Sequence, residues 1–596
     1  MVSMTGKDSK SGGTHRPGKR DVLNYLGIVA IIFLLNYICS FFIGRFDITE
    51  DKRHSLSENT IALLQDENRI KERIFFKIYL EGDLPADIKK IRNSIQEKLD
   101  EFIVYAGDKI QYEFIDPNGE DDVNFNLEVQ KNIYQEGIAP CDIQIISADK
   151  AEIKTIWPGA LIEYKGKTVD QVQFFTNRLI VNNEDMRGLA DRTINNLEYQ
   201  LISAVRRVSA SEKQTIGFLS GQGELDAWQT ADVRTGLDRY YLVEDVEING
   251  KLDALSAVDA LIIAQPKTPF NEKDKFIIDQ FIMNGGKVLW FIDPLEVNRD
   301  SLYFTGETFG ISANLNIEKD MIFKYGARLN ATTLIDKECG PIYIPGHPMG
   351  VVDWYFYPIL QRSTHPITKN IDPIKAEYAS TLEIVNEEDI DVKKTILLHS
   401  SDNSQEFKAP VRINYGIVDV EPNFKKGNAE FPVAMMLEGK FTSAFENRIS
   451  DSFVNSPDFK TVFKSVDNKM LVVSDGDIIR NEVDSKVVDG KTLYRAIPME
   501  IDVFGVQNAN KTPKYVYGNR DFVLNCIDYM LDDFSLIDVR AKTITMRVLD
   551  KQKITKDKDK WKFLNIGMPL LLIFILAMTQ LFIRRGKYGV ASIKKK

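Results

Sequence analysis

The stretch TIGFLSGQGELD, residues 215–226, decides how the chain is read. Its apolar first half reads as a strand, Gly221 and Gly223 as a turn, and residues 224–240 as a helix. A strand that passes through a glycine turn into a helix opens an α/β sheet, and the next elements repeat the alternation. YLVEDVEI (241–248), VDALIIAQP (258–266) and KVLWFIDP (287–294) read as strands, while 271–284 reads as a helix closed by Gly285-Gly286. MLVVSDGDIIRN (470–481) reads as a further strand leading to a helix, and NRDFVLNCIDYML (519–531) as a helix closing the sheet. Such continuous apolar strands imply a parallel sheet covered on both faces. Residues 315–460 read as a mixed, strand-rich insertion, and 213–540 as one α/β domain.

Ligands of parallel sheets gather at the carboxyl ends of the strands. That places Gly221, Gln222, Gly223 and Glu224 at a candidate ligand or partner crevice, with Asp293, Asp475 and Asp477 from neighbouring strand ends. The turn fails as a phosphate loop. Asp226 stands where a dinucleotide fingerprint needs its third glycine, and no Gly-Lys-Ser/Thr follows. Glu224 also puts a carboxylate where a bound anion would sit. Asp475 and Asp477, with Asp293, offer oxygens suited to a divalent cation, yet they serve equally as turn and cap residues. His54, His347, His365 and His399 are scattered, so neither a metal nor a cofactor is expected.

Nor is a nucleophile. There is no G-x-S-x-G elbow and no suggestive Cys–His pair. The strand GGKVLWFID ends where amidotransferase-like α/β domains place their nucleophile, but here Asp293-Pro294 follows, and proline disfavours a strained nucleophile turn. No catalytic residue is expected, and the chain reads as a non-enzyme whose architecture is enzyme-like.

Two charge-free stretches flank the rest, residues 22–43 and 563–583. Each has the roughly 20 residues a helix needs to cross a bilayer. The first exceeds the ~7–15 apolar residues of a signal core and lacks a small-residue cleavage site, so it reads as an uncleaved anchor. Lys7, Lys10, Arg16, Lys19 and Arg20 precede it, and Arg584, Arg585, Lys587 and Lys594–Lys596 follow the second stretch. Basic tails stay cytoplasmic, which assigns 1–21 and 584–596 to the cytoplasm of an inner-membrane protein. The bulk, about 44–562, is then periplasmic, with 541–562 as a juxtamembrane segment. Without residues 1–20 and 584–596 the chain has 65 basic and 85 acidic residues, a balance unsuited to nucleic acid. Cys141, Cys339 and Cys526 lie in this part, an odd number without C-x-x-C spacing, which allows one disulfide at most.

Residues 44–184 form a first external domain, joined to the second by a helix and linker over 185–212. Ser55 or Ser57 can cap a helix starting near Glu58, with the box Ser55-x-x-Glu58 as the local signal, and then RIFFKIYL (73–80), a helix over 85–105 and IQYEFIDP (110–117) read strand–helix–strand. GIAPCDIQII, EIKTIWPGALIEY and KTVDQVQFF follow as strands. That order resembles a thioredoxin-like fold from which the redox cysteines are missing.

RFDITEDKRHSLSENT, TIGFLSGQGELD, FIIDQFIMNGGKVLWFIDP, HPITKNI, LEGKFTSAFENR and SDGDIIRN resemble the GldG family of gliding-motility-associated ABC-transporter auxiliary proteins. The resemblance covers almost the whole chain. Family members usually carry His at the position of Gln222, which weakens any chemical role for that side chain. The resemblance implies an ABC permease partner (GldF-like), a cytoplasmic ATPase (GldA-like), and external domains that bind a substrate or envelope partner. An envelope hydrolase using the strand-end carboxylates is the alternative.

Overall fold

The computed structural model describes residues 55–532 and 551–588, less 120–121, 148–149, 176–185, 211–212, 370, 386–390, 421, 425–429, 447, 449–460, 489–490, 503 and 505–516. Positions 27, 29–31, 33, 34, 37, 536 and 539 are described as well. Met1–Ser55 form one unit and Leu56–Lys596 another. In the first, Gly27, Val29, Ala30, Ile31, Phe33, Leu34 and Tyr37 are helical and exposed. The remainder of the first apolar stretch, the tail 1–21, and residues 541–550 and 589–596 lie outside the described residues.

The second unit opens with the short helix Glu58–Leu64. Of the two cap candidates, Ser55 and Ser57, it is Ser57 that caps it, its Oγ accepting the Thr60 amide at 3.2 Å. The Ser57 amide in turn donates to Glu198 Oε1 at 2.7 Å, fastening this turn to a helix far along the chain. A four-stranded sheet follows. Strands β1 (Ile74–Ile78) and β2 (Ile110–Phe114) are parallel and joined by the helix Ala86–Ala106. Ile88, Ile91, Ile95, Leu99 and Phe102 recur every three or four residues on that helix and are all buried.

After the helix Val123–Gln135 comes the hairpin of β3 (Cys141–Ser147) and β4 (Lys150–Ile156). Then β5 (Gly159–Tyr164) and β6 (Lys167–Gln173) join the first sheet antiparallel, giving the order β2-β1-β5-β6. EIKTIWPGALIEY is thus two strands, divided at Trp157-Pro158 because proline supplies no amide to a ladder. The helix Met186–Ser209 packs its Leu189, Leu197, Leu201 and Val205 into the same core. Cys141, Cys339 and Cys526 are unbonded, and burial pushes the Cys141 and Cys339 thiols to about 12. Such thiols are poor nucleophiles at neutral pH.

The second sheet is built on the opening stretch. Strands β7 (Thr215–Leu219), β8 (Leu242–Val246), β9 (Ala260–Ala264), β10 (Lys287–Phe291), β11 (Val351–Arg362), β12 (Val392–His399), β13 (Pro432–Gly439) and β14 (Asn468–Val473) form its body. Across the sheet the order is Cys339–Tyr343, β11, β12, β13, β14, β10, β9, β7, β8. The five strands from β14 to β8 are parallel, and β13, β12 and β11 add to them antiparallel. The insertion read over 315–460 therefore widens the same sheet.

Side-chain alternation explains the two covered faces. Ile216, Phe218, Ile262, Leu289, Phe291, Leu471 and Val473 enter a core shared with the helices Ala231–Asp238 and Asn519–Leu531. Their neighbours Leu261, Ile263, Val288, Trp290, Met470 and Val472 face the other way, onto the helix Glu272–Met283. Two expected helices differ. The first begins only at Ala231, because Asp226 Oδ1 accepts the Trp228 and Gln229 amides at 2.8 Å and holds 226–230 as a turn. The segment after β14 is a 3-10 turn, Gly476–Ile479, too short for a helix.

Near the C-terminus a single helix runs Lys551–Tyr588. Its stretch Lys560–Ile583 is 24 residues long, and its most apolar window has a mean hydropathy of 2.3 and no buried residue. By length and composition it is, among the described residues, the one helix able to cross a bilayer.

One buried acceptor joins the insertion to the sheet's helical layer. Asp279, fully buried on Glu272–Met283, accepts from Tyr325 Oη at 2.8 Å, Ser443 Oγ at 2.7 Å and the Ala444 amide at 2.7 Å. Buried donors left unmatched cost about 1–3 kcal/mol each. Asp279→Ala is therefore expected to destabilise the protein by roughly 3 kcal/mol or more. Asp279→Asn, which keeps one acceptor oxygen, should cost less. The shift in urea midpoint measures both.

Candidate functional site

The parallel strands fall in the order β8-β7-β9-β10-β14, so the direction of winding reverses between β7 and β9. At such a reversal the loops leaving two adjacent strands diverge and open a crevice. The turn Ser220–Glu224 leaves β7 here. Gly221 has φ +124° and Gly223 φ +79°, in the region glycine tolerates best. A side chain at Gly223 would also meet Lys267, its Cβ standing 3.2 Å from the Lys267 Cβ. The Gln222 carbonyl accepts the Lys267 and Thr268 amides at 2.8 and 3.0 Å, tying the turn to the end of β9.

The turn's own carboxylate fills its concavity. Glu224 Oε2 accepts the Gln222 amide at 2.7 Å. Burial raises the Glu224 carboxyl above its ordinary value, against the pull of the amides of Glu224, Gln222 and Gly221. The nest of backbone donors that a phosphate would use is taken by the chain itself.

The remaining candidates converge two strands away. Asp293 follows β10, and Asp475 and Asp477 follow β14; oxygens of the three lie within 4.8 Å of one another. Asp475 caps the 3-10 turn, its Oδ1 accepting the Asp477 amide at 2.7 Å, while Oδ2 accepts the Glu377 amide at 2.7 Å. Asp293 Oδ1 accepts the Gly476 amide at 2.5 Å, and its Oδ2 accepts Gln265 Nε2 at 2.7 Å. Gln265 Nε2 also reaches Asp477 Oδ1 at 3.0 Å. Lys267 Nζ, 3.4 Å from Asp293, links this group to the glycine turn.

Three cations and one acid complete the cluster, none of them singled out from the sequence. Arg299 bridges Asp477 Oδ2 and Glu377 Oε2, each at 2.5 Å. Arg480 lies 2.9 Å from Asp477 Oδ1 and 3.2 Å from Glu377, and Lys375 is 3.0 Å from Glu377 Oε1. Four carboxylates thus meet four cations, counting Lys267. Arg480 had a visible signal, three residues beyond Asp477 in SDGDIIRN. Glu377 and Lys375 had none, because the insertion brings them in from about a hundred residues away.

Electrostatics divides the acids. Burial, then the charges of Asp477 and Asp293, push Asp475 well above the ordinary carboxylate range. Asp293 is raised by burial and by Asp477. Burial also presses Glu377 upward, but Arg299, Lys375 and Arg480 together hold it far below its ordinary value. Every oxygen of Asp293, Asp475, Asp477 and Glu377 already faces a donor or a cation. A metal ion or a reacting proton would compete there with these donors and cations. The chemistry on offer is cross-linking of the strand ends and the insertion, with Gln265 and Lys267 at its edge.

Residues 213–526 match the model of a family described as "ABC-type uncharacterized transport system". Residues 50–163 match a second model, a domain of unknown function. A protein of Borreliella burgdorferi, described as uncharacterized, is 24% identical over 439 residues, covering 72% of this chain and 80% of its own. Among solved structures, the mmIFT52 N-terminal domain aligns over 45% of this chain and 88% of its own at 12% identity. Its TM-score of 0.28 is too low to carry any argument.

Two expectations follow from the occupied oxygens. Millimolar Mg²⁺ or Ca²⁺ should leave the melting temperature unchanged, since either ion must compete with Arg299, Arg480 and Lys267 for the aspartates. Glu377, lowered in the folded state, contributes stability that is present above its unfolded value of about 4.5 and is lost as pH falls below it. Glu377→Gln should cost about 3–5 kcal/mol at pH 7, the range for breaking a buried ion pair. Its deficit relative to wild type should shrink below pH ~4.5, in thermal or urea unfolding measured across pH.

Proposed function

The chain belongs to the ABC-type uncharacterized transport system family, and from that premise we propose that it is a non-enzymatic auxiliary subunit of an ABC transporter complex. One observation carries the reading beyond the family match: an apolar helix of bilayer length, Lys560–Ile583, stands on the same chain as the matched α/β domain. In this reading the helix packs on a permease subunit (GldF-like) that works with a cytoplasmic ATPase (GldA-like). Residues 22–43 supply a second span, both termini face the cytoplasm, and the domains between are periplasmic.

The external domains then bind a substrate or an envelope partner. The order β2-β1-β5-β6, with β5 antiparallel between two neighbours, supports a thioredoxin-like first domain. The crevice around Gly221, Gln222, Gly223, Glu224, Asp293, Asp475 and Asp477 is the contact region in the second. Gliding motility is the setting suggested by motifs such as TIGFLSGQGELD and LEGKFTSAFENR. The alternative, an envelope hydrolase, draws on the convergence of Asp293, Asp475 and Asp477. It is weakened by the cations and amides that occupy those oxygens.

Co-expression with the neighbouring ATPase and permease tests the proposal. In mild detergent the three should co-purify, and replacing Leu570, Leu571 and Phe574 with alanine should reduce recovery of the permease at least tenfold. Isolation of the chain alone, with both candidates present in the same membranes, would refute it.

A further inference from the structure

The helix Lys551–Tyr588 carries a run of lysines where its apolar stretch stops. Residues 563–583 hold no charge, and at 1.5 Å per residue they span about 31 Å, close to the roughly 30 Å of a bilayer's hydrocarbon. Lys562 is the last charge before them, and Trp561, 56% exposed, stands beside it. A tryptophan at the end of an apolar span sits at headgroup level. Lys558 and Lys560 then lie within about 5 Å of that level along the axis, inside the roughly 8 Å over which a charge is felt in physiological salt.

The adjoining sequence does not balance this charge. Residues 551–562 contain six lysines and two aspartates, Asp557 and Asp559, an excess of four positive charges. Residues 533–550 add three acids (Asp533, Asp538, Asp550) and three bases (Arg540, Lys542, Arg547), so the excess persists over the whole of 533–562. Lys558, Lys560 and Lys562 are exposed. At about 100° per residue, positions 551, 558 and 562 share one side of the helix, and 553, 556 and 560 share the opposite side. A protein partner meets a helix along one face. A headgroup layer surrounds it, and that geometry uses both rows.

We infer that this lysine collar binds anionic phospholipid headgroups and gathers them around the helix where it enters the bilayer. A lysine ammonium meets a phosphodiester as a compact point charge on a flexible stem, without the fixed fork of arginine. That suits lipids that exchange around a helix rather than one ligand held in a pocket. Basic clusters next to an apolar span select anionic lipids in this way. The inference rests on the bilayer reading of this helix, and not on the ATPase or the permease.

Spin-labelled phosphatidylglycerol and phosphatidylcholine, each in vesicles holding the full-length chain, test it through the fraction of label immobilised by the protein. Phosphatidylglycerol should be preferred roughly threefold or more at about 50 mM salt, with the preference falling toward unity near 1 M. Lys558→Gln with Lys560→Gln and Lys562→Gln should remove roughly half of the preference or more, and more than Arg584→Gln with Arg585→Gln at the other end of the apolar stretch. The three lysines are exposed, and an unchanged melting temperature verifies the fold of the variant. Flotation of the vesicles separates the two ways to fail. A chain that does not float with them refutes the bilayer reading and the inference together. A chain that floats but shows no preference for phosphatidylglycerol, as when these lysines serve an acidic protein partner, overturns the inference alone. So does a preference that the lysine variant keeps in full.

Discussion

The second domain depends on how acidic strand ends are kept in a buried place. Parallel strands deliver β10 and β14 side by side, and both end in aspartates. Unpaired charges there would cost several kcal/mol apiece, so the surroundings must answer them. The protein does so with Arg299 from the segment after β10, Arg480 from the turn after β14, and Lys375 beside Glu377 from the insertion. The insertion is thus held by its charges at the carboxyl edge as well as by its strands. Removal of any one partner leaves the others unmatched, which makes this cluster a structural commitment.

Legibility followed periodicity. The strands of TIGFLSG, VDALIIAQP and KVLWFIDP, and the helix that Asn271 caps, were readable because long apolar runs and a period of 3.6 leave few alternatives. The occupation of the glycine turn by Glu224 was also readable, since a carboxylate two residues beyond Gln222 lies within reach of the turn's amides. Local side-chain competition was harder to see. Asp226 captures two amides and delays the following helix by seven residues, although its pattern is helical. The partners of Asp477 were the least visible, because contacts such as Glu377 with Arg480 depend on the full topology. Charge pairing between distant segments leaves no periodic trace.

The two edges of the same sheet now have contrasting characters. At the carboxyl edge, charge is balanced and oxygens are engaged, which suits rigid presentation of a surface. At the amino edge, a cleft is lined, among the described residues, by Asp170, Arg206, Arg207, Lys213 and Arg239. Asp528 stands behind that space, accepting from Tyr241 at 2.7 Å and Tyr199 at 3.1 Å as well as pairing with Arg206. It couples the connecting helix to the closing helix Asn519–Leu531, so a change at the amino edge is felt by both.

The helix Lys551–Tyr588 has a mechanical consequence. At 1.5 Å per residue its 38 residues span about 57 Å, against roughly 30 Å of hydrocarbon in a bilayer. Proline at 569 has no amide to offer the Asn565 carbonyl, and Gly567 lies between them. The rod therefore carries a compliant joint within its apolar half, while the lysine-rich half is unbroken. Bending therefore costs least at this one point, inside the apolar stretch, and more along the lysine-rich half.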